Sequence, residues 1–142
     1  MIERYFWIFG LIAVGGAVLL WEFIPRRRRN ERFKDREELA MDSIFNQFFA
    51  QARLPKALVV ELWNEVANAL GVPPGKLRPA DRFDKELAPV KGWGFDDDIV
   101  EVCWAAERRL KKLGMKAEHS DVRTLGDYVE YFCALAGQKQ NE

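Results

Sequence analysis

Apolar residues recur along most of this chain at helical spacing, and no stretch shows the alternation that marks a strand. The longest apolar run, Tyr5 to Ile24, has 20 residues with Glu22 as its only charge. At about 1.5 Å per residue it spans roughly 30 Å, the thickness of a bilayer's hydrocarbon, and predicts a transmembrane helix. Tyr5, Trp7 and Trp21 stand near its ends, where aromatic rings favour the headgroup level, and Glu22 is close enough to the boundary to reach water. Pro25 and Arg26, Arg27, Arg28 and Arg29 follow directly, a stop-transfer pattern rather than the end of a cleavable signal. The positive-inside rule places these arginines and everything after them in the cytoplasm, with the short N-terminus outside.

From Glu31 to Arg53, Met41, Ile44, Phe45, Phe48, Phe49 and Ala52 fall on one side of an amphipathic neck helix. That face has three destinations: the domain that follows, the membrane interface, or a partner helix. Pro55 suits a first helical position, Val59, Leu62, Trp63, Val66 and Leu70 mark one face, and Gly71 is placed as a C-terminal cap. A long connection then carries Leu77, Phe83 and Leu87, spaced as plugs that pin a loop to a core. It runs through Gly92, Trp93 and Gly94, and the bulk of Trp93 favours burial over a surface contact. Asp96, Asp97 and Asp98 open the next helix, where unpaired N–H groups and the helix dipole favour anions. Ile99, Val102, Cys103, Ala106 and Leu110 form its apolar face, and Gly114 ends it. Thr124 with Asp127 starts a last helix as a capping-box-like pair. The reading is all-α: an anchor at 1–25, a basic neck at 26–53, a small helical domain at 54–137 and a tail at 138–142.

Composition narrows the function classes. The chain has 142 residues, 49% hydrophobic and 31% charged, with zero formal net charge, which leaves room for one modest domain and an appendage. Arg26 to Glu38 holds seven basic residues against four acidic, net +3, while Leu54 to Gly137 holds twelve against fourteen, net −2. A slightly acidic folded part argues against nucleic acid as partner, since phosphate binding needs clustered Lys and Arg. Cys103 and Cys133 form no CxxC pair and read as core residues, and His119 lies in a polar connection. Three consecutive Asp point about 100° apart around a helix, so they do not converge on one ion. The sequence has no nucleophile–base grouping, glycine-rich phosphate loop or ligand-spaced His/Cys cluster, and so presents no catalytic residue, metal site or cofactor motif.

The order of elements resembles the acyl carrier protein fold. The resemblance covers roughly Leu54 to Leu135 and rests on Leu70-Gly71-Val72 at a helix end, on Leu77, Phe83 and Leu87 in a long loop, on Val100-Glu101-Val102 in an acid-started helix, and on Thr124-Leu125-Gly126-Asp127-Tyr128-Val129. Carrier proteins attach phosphopantetheine to a serine at the start of the second long helix. Aligning Val100-Glu101-Val102 with that pattern puts Asp96 at the serine position, and a carboxylate does not form the phosphodiester. Ser43 and Ser120 lie elsewhere. The helix also ends Arg108-Arg109-Leu110-Lys111-Lys112, where carriers keep an acidic face. Small bacterial carrier-like proteins of unknown function have a similar acidic run, which implies a bacterial inner membrane as the setting.

The resulting expectation is a non-enzymatic, membrane-anchored docking domain without cofactor. Its contacts to a protein partner would be Trp93, Phe95, Asp96, Asp97, Asp98 and Glu101 on an acidic edge, with Arg108 and Arg109 at a basic end. Replacing Asp96, Asp97 and Asp98 with Asn is expected to weaken capture without unfolding the domain. The alternative is a tethered carrier that holds an acyl or lipid group at an unorthodox or non-covalent site.

Overall fold

The main helices among the described residues are residues 26–31 (α1), Met41–Phe48 (α2), Lys56–Leu70 (α3), Asp98–Lys112 (α4) and Leu125–Lys139 (α5). Short 3-10 turns occupy Ala50–Ala52 and Pro74–Lys76. The computed structural model describes residues 15–17, 23–24, 26–90, 98–116 and 121–139. Among the described residues there is no strand, only an isolated bridge between Arg82 and Thr124, so the chain is all-α as its periodicity predicts. No helix among them is long and apolar enough to cross a membrane. The apolar run at 5–24, with Tyr5, Trp7 and Trp21, lies outside the described residues except for 15–17 and 23–24, which are helical.

The helix ends follow their local chemistry. Gly71, at φ 65°, stops α3: its N–H donates to Asn68 O at 3.2 Å and the Val72 N–H donates to Ala67 O at 3.0 Å. This is the Schellman arrangement, and the left-handed turn it needs is cheap only for glycine. Gly114 ends α4 in the same way, with Met115 N–H donating to Leu110 O at 2.9 Å. At α5 the expected box forms: Asp127 N–H donates to Thr124 Oγ1 at 3.1 Å and Thr124 N–H donates back to Asp127 Oδ2 at 2.9 Å. Pro55 stands one position outside α3, at its N-cap, rather than in its first turn.

The neck departs from the single helix expected from Glu31. Residues 32–36 turn, 37–40 have no regular structure, and α2 begins only at Met41. The backbone there is committed to tertiary bonds that a helix would consume: Leu39 N–H donates to Gly75 O at 2.9 Å, and Arg78 Nη2 donates to Glu37 O at 2.7 Å. The approach is so close that a Cβ on Gly75 would stand 2.5 Å from Leu39 O. Of the three destinations for the phenylalanine face, the neck takes the domain. Phe33, Ile44 and Phe49 are buried in the same core as the later helices, whereas Phe48 and Ala52 face outward.

That core centres on α3, which packs against α2, α4 and α5. Trp63 is fully buried, donates Nε1–H to Pro74 O at 2.9 Å and meets the edge of Phe49 at 5.8 Å between ring centroids. Leu77 and Leu87 are buried and Phe83 partly so, as the plug spacing predicts. From α5, Leu125, Tyr128, Val129, Phe132 and Cys133 complete the interior. Residues 26–53 and 54–137 therefore share one core.

Candidate functional site

Two arginines set the frame of the α3–α4 pair, which runs antiparallel. At one end Arg29 Nη1 donates to Leu70 O at 2.8 Å and to Asp98 Oδ2 at 2.7 Å, joining the C-terminus of α3 to the start of α4. At the other, Arg109 Nη2 lies 2.8 Å from Glu61 Oε1 and 2.7 Å from Glu65 Oε2, and Tyr128 donates its hydroxyl to Glu65 Oε1 at 3.3 Å. Burial disfavours the Arg109 cation, but Glu65 and Glu61 more than offset it and hold its pKa above the ordinary value. Burial, with Glu65 beside it, pushes the Tyr128 hydroxyl up.

These bonds revise what the charged residues do. The arginine run was read as a topology signal; Arg29 has 0% of its side chain exposed and is an internal fastener. Arg32 Nη1 donates to the carbonyls of Lys85, Glu86 and Ala88, and Arg36 reaches Asp81 at 2.8 Å, so the neck's basic charge is partly consumed within the fold. Arg26 is half-exposed, 3.6 Å from Asp98, and Arg27 and Arg28 are exposed.

The expected docking edge divides in the same way. Trp93, Phe95, Asp96 and Asp97 lie outside the described residues. Asp98 is spent on Arg29 and Arg26, and Arg109 on Glu61 and Glu65. Asn at position 98 would leave a buried guanidinium without its carboxylate, so the triple Asn replacement is not neutral to folding. Glu101 and Arg108 remain exposed, and between them on the same stripe stands Trp104, 52% exposed. Position 104 falls outside the apolar stripe defined by Ile99, Val102, Cys103, Ala106 and Leu110, so the pattern itself carried that signal.

The apolar face of α4 is only partly covered. Cys103 is exposed, not a core residue, whereas Cys133 is buried and burial pushes its thiol up to about 11. The cause is steric. Both α4 and α5 pack chiefly on α3 rather than on each other. Where they diverge, α4 offers the small side chains of Cys103 and Ala106 against Tyr128, Tyr131 and Phe132 of α5. Small residues opposite aromatics leave space, and the result is an open-sided groove of about 360 Å³ whose walls are overwhelmingly apolar. Phe83 and Val122 from the connections complete it, and Glu107 contributes a polar edge. Nothing in the chain's periodicity distinguishes a small residue facing a neighbour from one facing a void.

Comparison with known proteins adds no relative: the chain matches no family model, no curated protein and no solved structure.

Proposed function

We propose that this protein is a non-enzymatic, membrane-anchored, carrier-like module that holds an acyl or similar unbranched apolar chain non-covalently in the groove between α4 and α5. The observation that carries the reading is the groove itself: about 360 Å³, apolar, and open along one side. That volume falls at the lower end of the roughly 300–1,000 Å³ typical of small-molecule sites. The resemblance to carrier proteins supplies the class of ligand, and Asp96 at the serine position argues for retention by burial rather than by a phosphopantetheine thioester. The apolar run at 5–24 with the arginines after it supports the anchor and a cytoplasmic domain.

Retention by burial has a measurable signature. Each methylene removed from water is worth about 0.8 kcal/mol, so two carbons of chain length tighten binding roughly tenfold until the groove is full. The test is titration of the purified protein with acyl chains of increasing length, beside Ala106→Trp, which puts an indole into the groove. The expected result is a stepwise gain with length in the wild type and loss of binding in the variant with helicity unchanged. Binding that is independent of length, or equal in the variant, removes the groove reading. Intact mass after treatment with a broad-specificity phosphopantetheinyl transferase is expected to be unchanged; an adduct would restore the covalent carrier.

A second reading is favoured by Trp104. An exposed tryptophan flanked by Glu101 and Arg108 on one helical stripe has the makings of a protein contact, where aromatic and arginine side chains carry much of the energy. On this reading α4 docks a protein partner by its outer face. Trp104→Ala would abolish crosslinking from a photoreactive residue at position 101 while chain binding in the groove persists; crosslinking that survives the change excludes it.

A further inference from the structure

We infer that one end of the bundle, where α1 meets the C-terminus of α3 and the start of α4, rests on the phosphate headgroups of the bilayer that holds the anchor. The inference depends on reading residues 5–24 as that anchor, and adds the orientation of the domain above it. Residues 26–31 are helical, and Arg26 lies two positions past the apolar run. Arg29 follows Ile24 by five residues, at most about 18 Å of chain, which keeps it close to the polar layer that flanks the hydrocarbon.

At that height α1 is fastened rather than hinged. The fully buried guanidinium of Arg29 is shared between Leu70 O on α3 and Asp98 Oδ2 on α4, at 2.8 and 2.7 Å. Swinging the bundle about α1 would break this cation's bonds to two helices at once and open the packing that buries it. Arg26 lies across Gly71, so close that a Cβ there would meet its Cδ at 2.8 Å, and it also approaches Asp98. Leu70, Gly71 and Asp98 are thereby held at the level of α1's first turns. Arg26, half-exposed, and Arg27, exposed, supply cations there, and phosphate headgroups are the complementary surface. Ile99, which follows Asp98 directly, is the groove residue at this end, so the groove approaches the bilayer by its Ile99 end.

α3 serves as the ruler. Asn68 near its membrane end and Ala57 at its far end are both exposed, and 11 residues of helix separate them by about 16 Å. In the full-length Cys103→Ser protein, where Cys133 is buried, a fluorophore is placed at Asn68→Cys or at Ala57→Cys. Each protein is reconstituted into vesicles containing a headgroup-linked paramagnetic quencher, and flotation is measured on the same samples. The expected result is quenching at position 68 several-fold stronger than at 57, with the contrast reduced when Arg26→Gln and Arg27→Gln are combined. Equal quenching at the two positions in protein that floats overturns the proposed seat and leaves the anchor standing. Protein that does not float overturns both. A contrast untouched by the Gln substitutions removes headgroup phosphate as the partner.

Discussion

The half of the molecule built on α1, α2 and α3 and the half where α4 and α5 diverge are finished to different standards. In the first, Phe33, Ile44, Phe49 and Trp63 are almost entirely removed from water, and three neck arginines are bonded into the loops and helix ends they face. In the second, Cys103 is exposed, Trp104 stands half in solvent, and a groove of about 360 Å³ stays open between helices that share the same support. Interiors normally close-pack, and small domains have little surplus stability to leave on the table. Apolar surface left open on a small domain is where binding is expected, and that expectation underlies the proposed chain-holding groove.

Substitutions can break this comparison, and the largest effect belongs to Arg29. Arg29→Met leaves the Leu70 carbonyl without its donor and Asp98 with only the more distant Arg26, and is expected to cost about 3 kcal/mol, the low end of the penalty for removing one member of a buried pair. Urea unfolding of the full-length protein in micelles measures it, and adding Asp98→Leu should recover much of the loss. A small change for Arg29→Met would mean the sealed side is held by apolar packing alone.

The α5 cap comes next. Thr124→Ala removes the Oγ1 acceptor of the Asp127 N–H and is expected to cost about 1 kcal/mol. Its partner gives the same element a pH dependence. Partial burial works against ionisation of Asp127, yet the N–H groups of Thr124 and Arg123 and the Thr124 hydroxyl hold its carboxyl below the ordinary value. A depressed carboxyl stabilises the fold above its ordinary pKa and loses that contribution as pH falls through the depressed one. Acid titration of the wild type and Asp127→Asn should therefore converge at low pH.

On the open side the same kind of change should do little to stability. Cys103→Leu adds volume where there is room, and is expected to shift unfolding by under about 0.5 kcal/mol while weakening chain binding. A loss of a kilocalorie or more would show that the groove closes in solution. The smallest perturbation is a label. At pH 8 iodoacetamide should modify Cys103 and leave Cys133 untouched until the protein unfolds, because Cys133 is buried and its thiolate disfavoured. With that thiol raised to about 11, its contribution is intact below the ordinary thiol pKa and fades as pH climbs toward the raised value. Mass spectrometry of the alkylated native protein reads the labelling directly.

Much of the scaffold was legible in the chain because its signals are local. Gly71, Gly114 and the Thr124–Asp127 pair mark helix ends through bonds made within a few residues, and Leu77 and Leu87 fall where a loop must be pinned. The neck was misread because its backbone bonds to Gly75 and Arg78, some 40 residues away, override the helical pattern of its side chains. Two residues of the expected docking edge have structural partners for the same reason. Asp98 and Arg109 look like surface charges in sequence, and only their partners on other elements reveal them as fasteners.

By itself, then, the sequence determined the helices from α3 onward, the caps at Gly71, Gly114 and Thr124, and the apolar run that reads as an anchor, since propensity, capping and periodicity act over one or two turns. Tertiary structure alone decided which arginines are buried, which cysteine is exposed and that α4 and α5 part to leave a groove. Those outcomes depend on side-chain volumes and charges brought together from distant positions, and a one-dimensional pattern carries no record of what faces what.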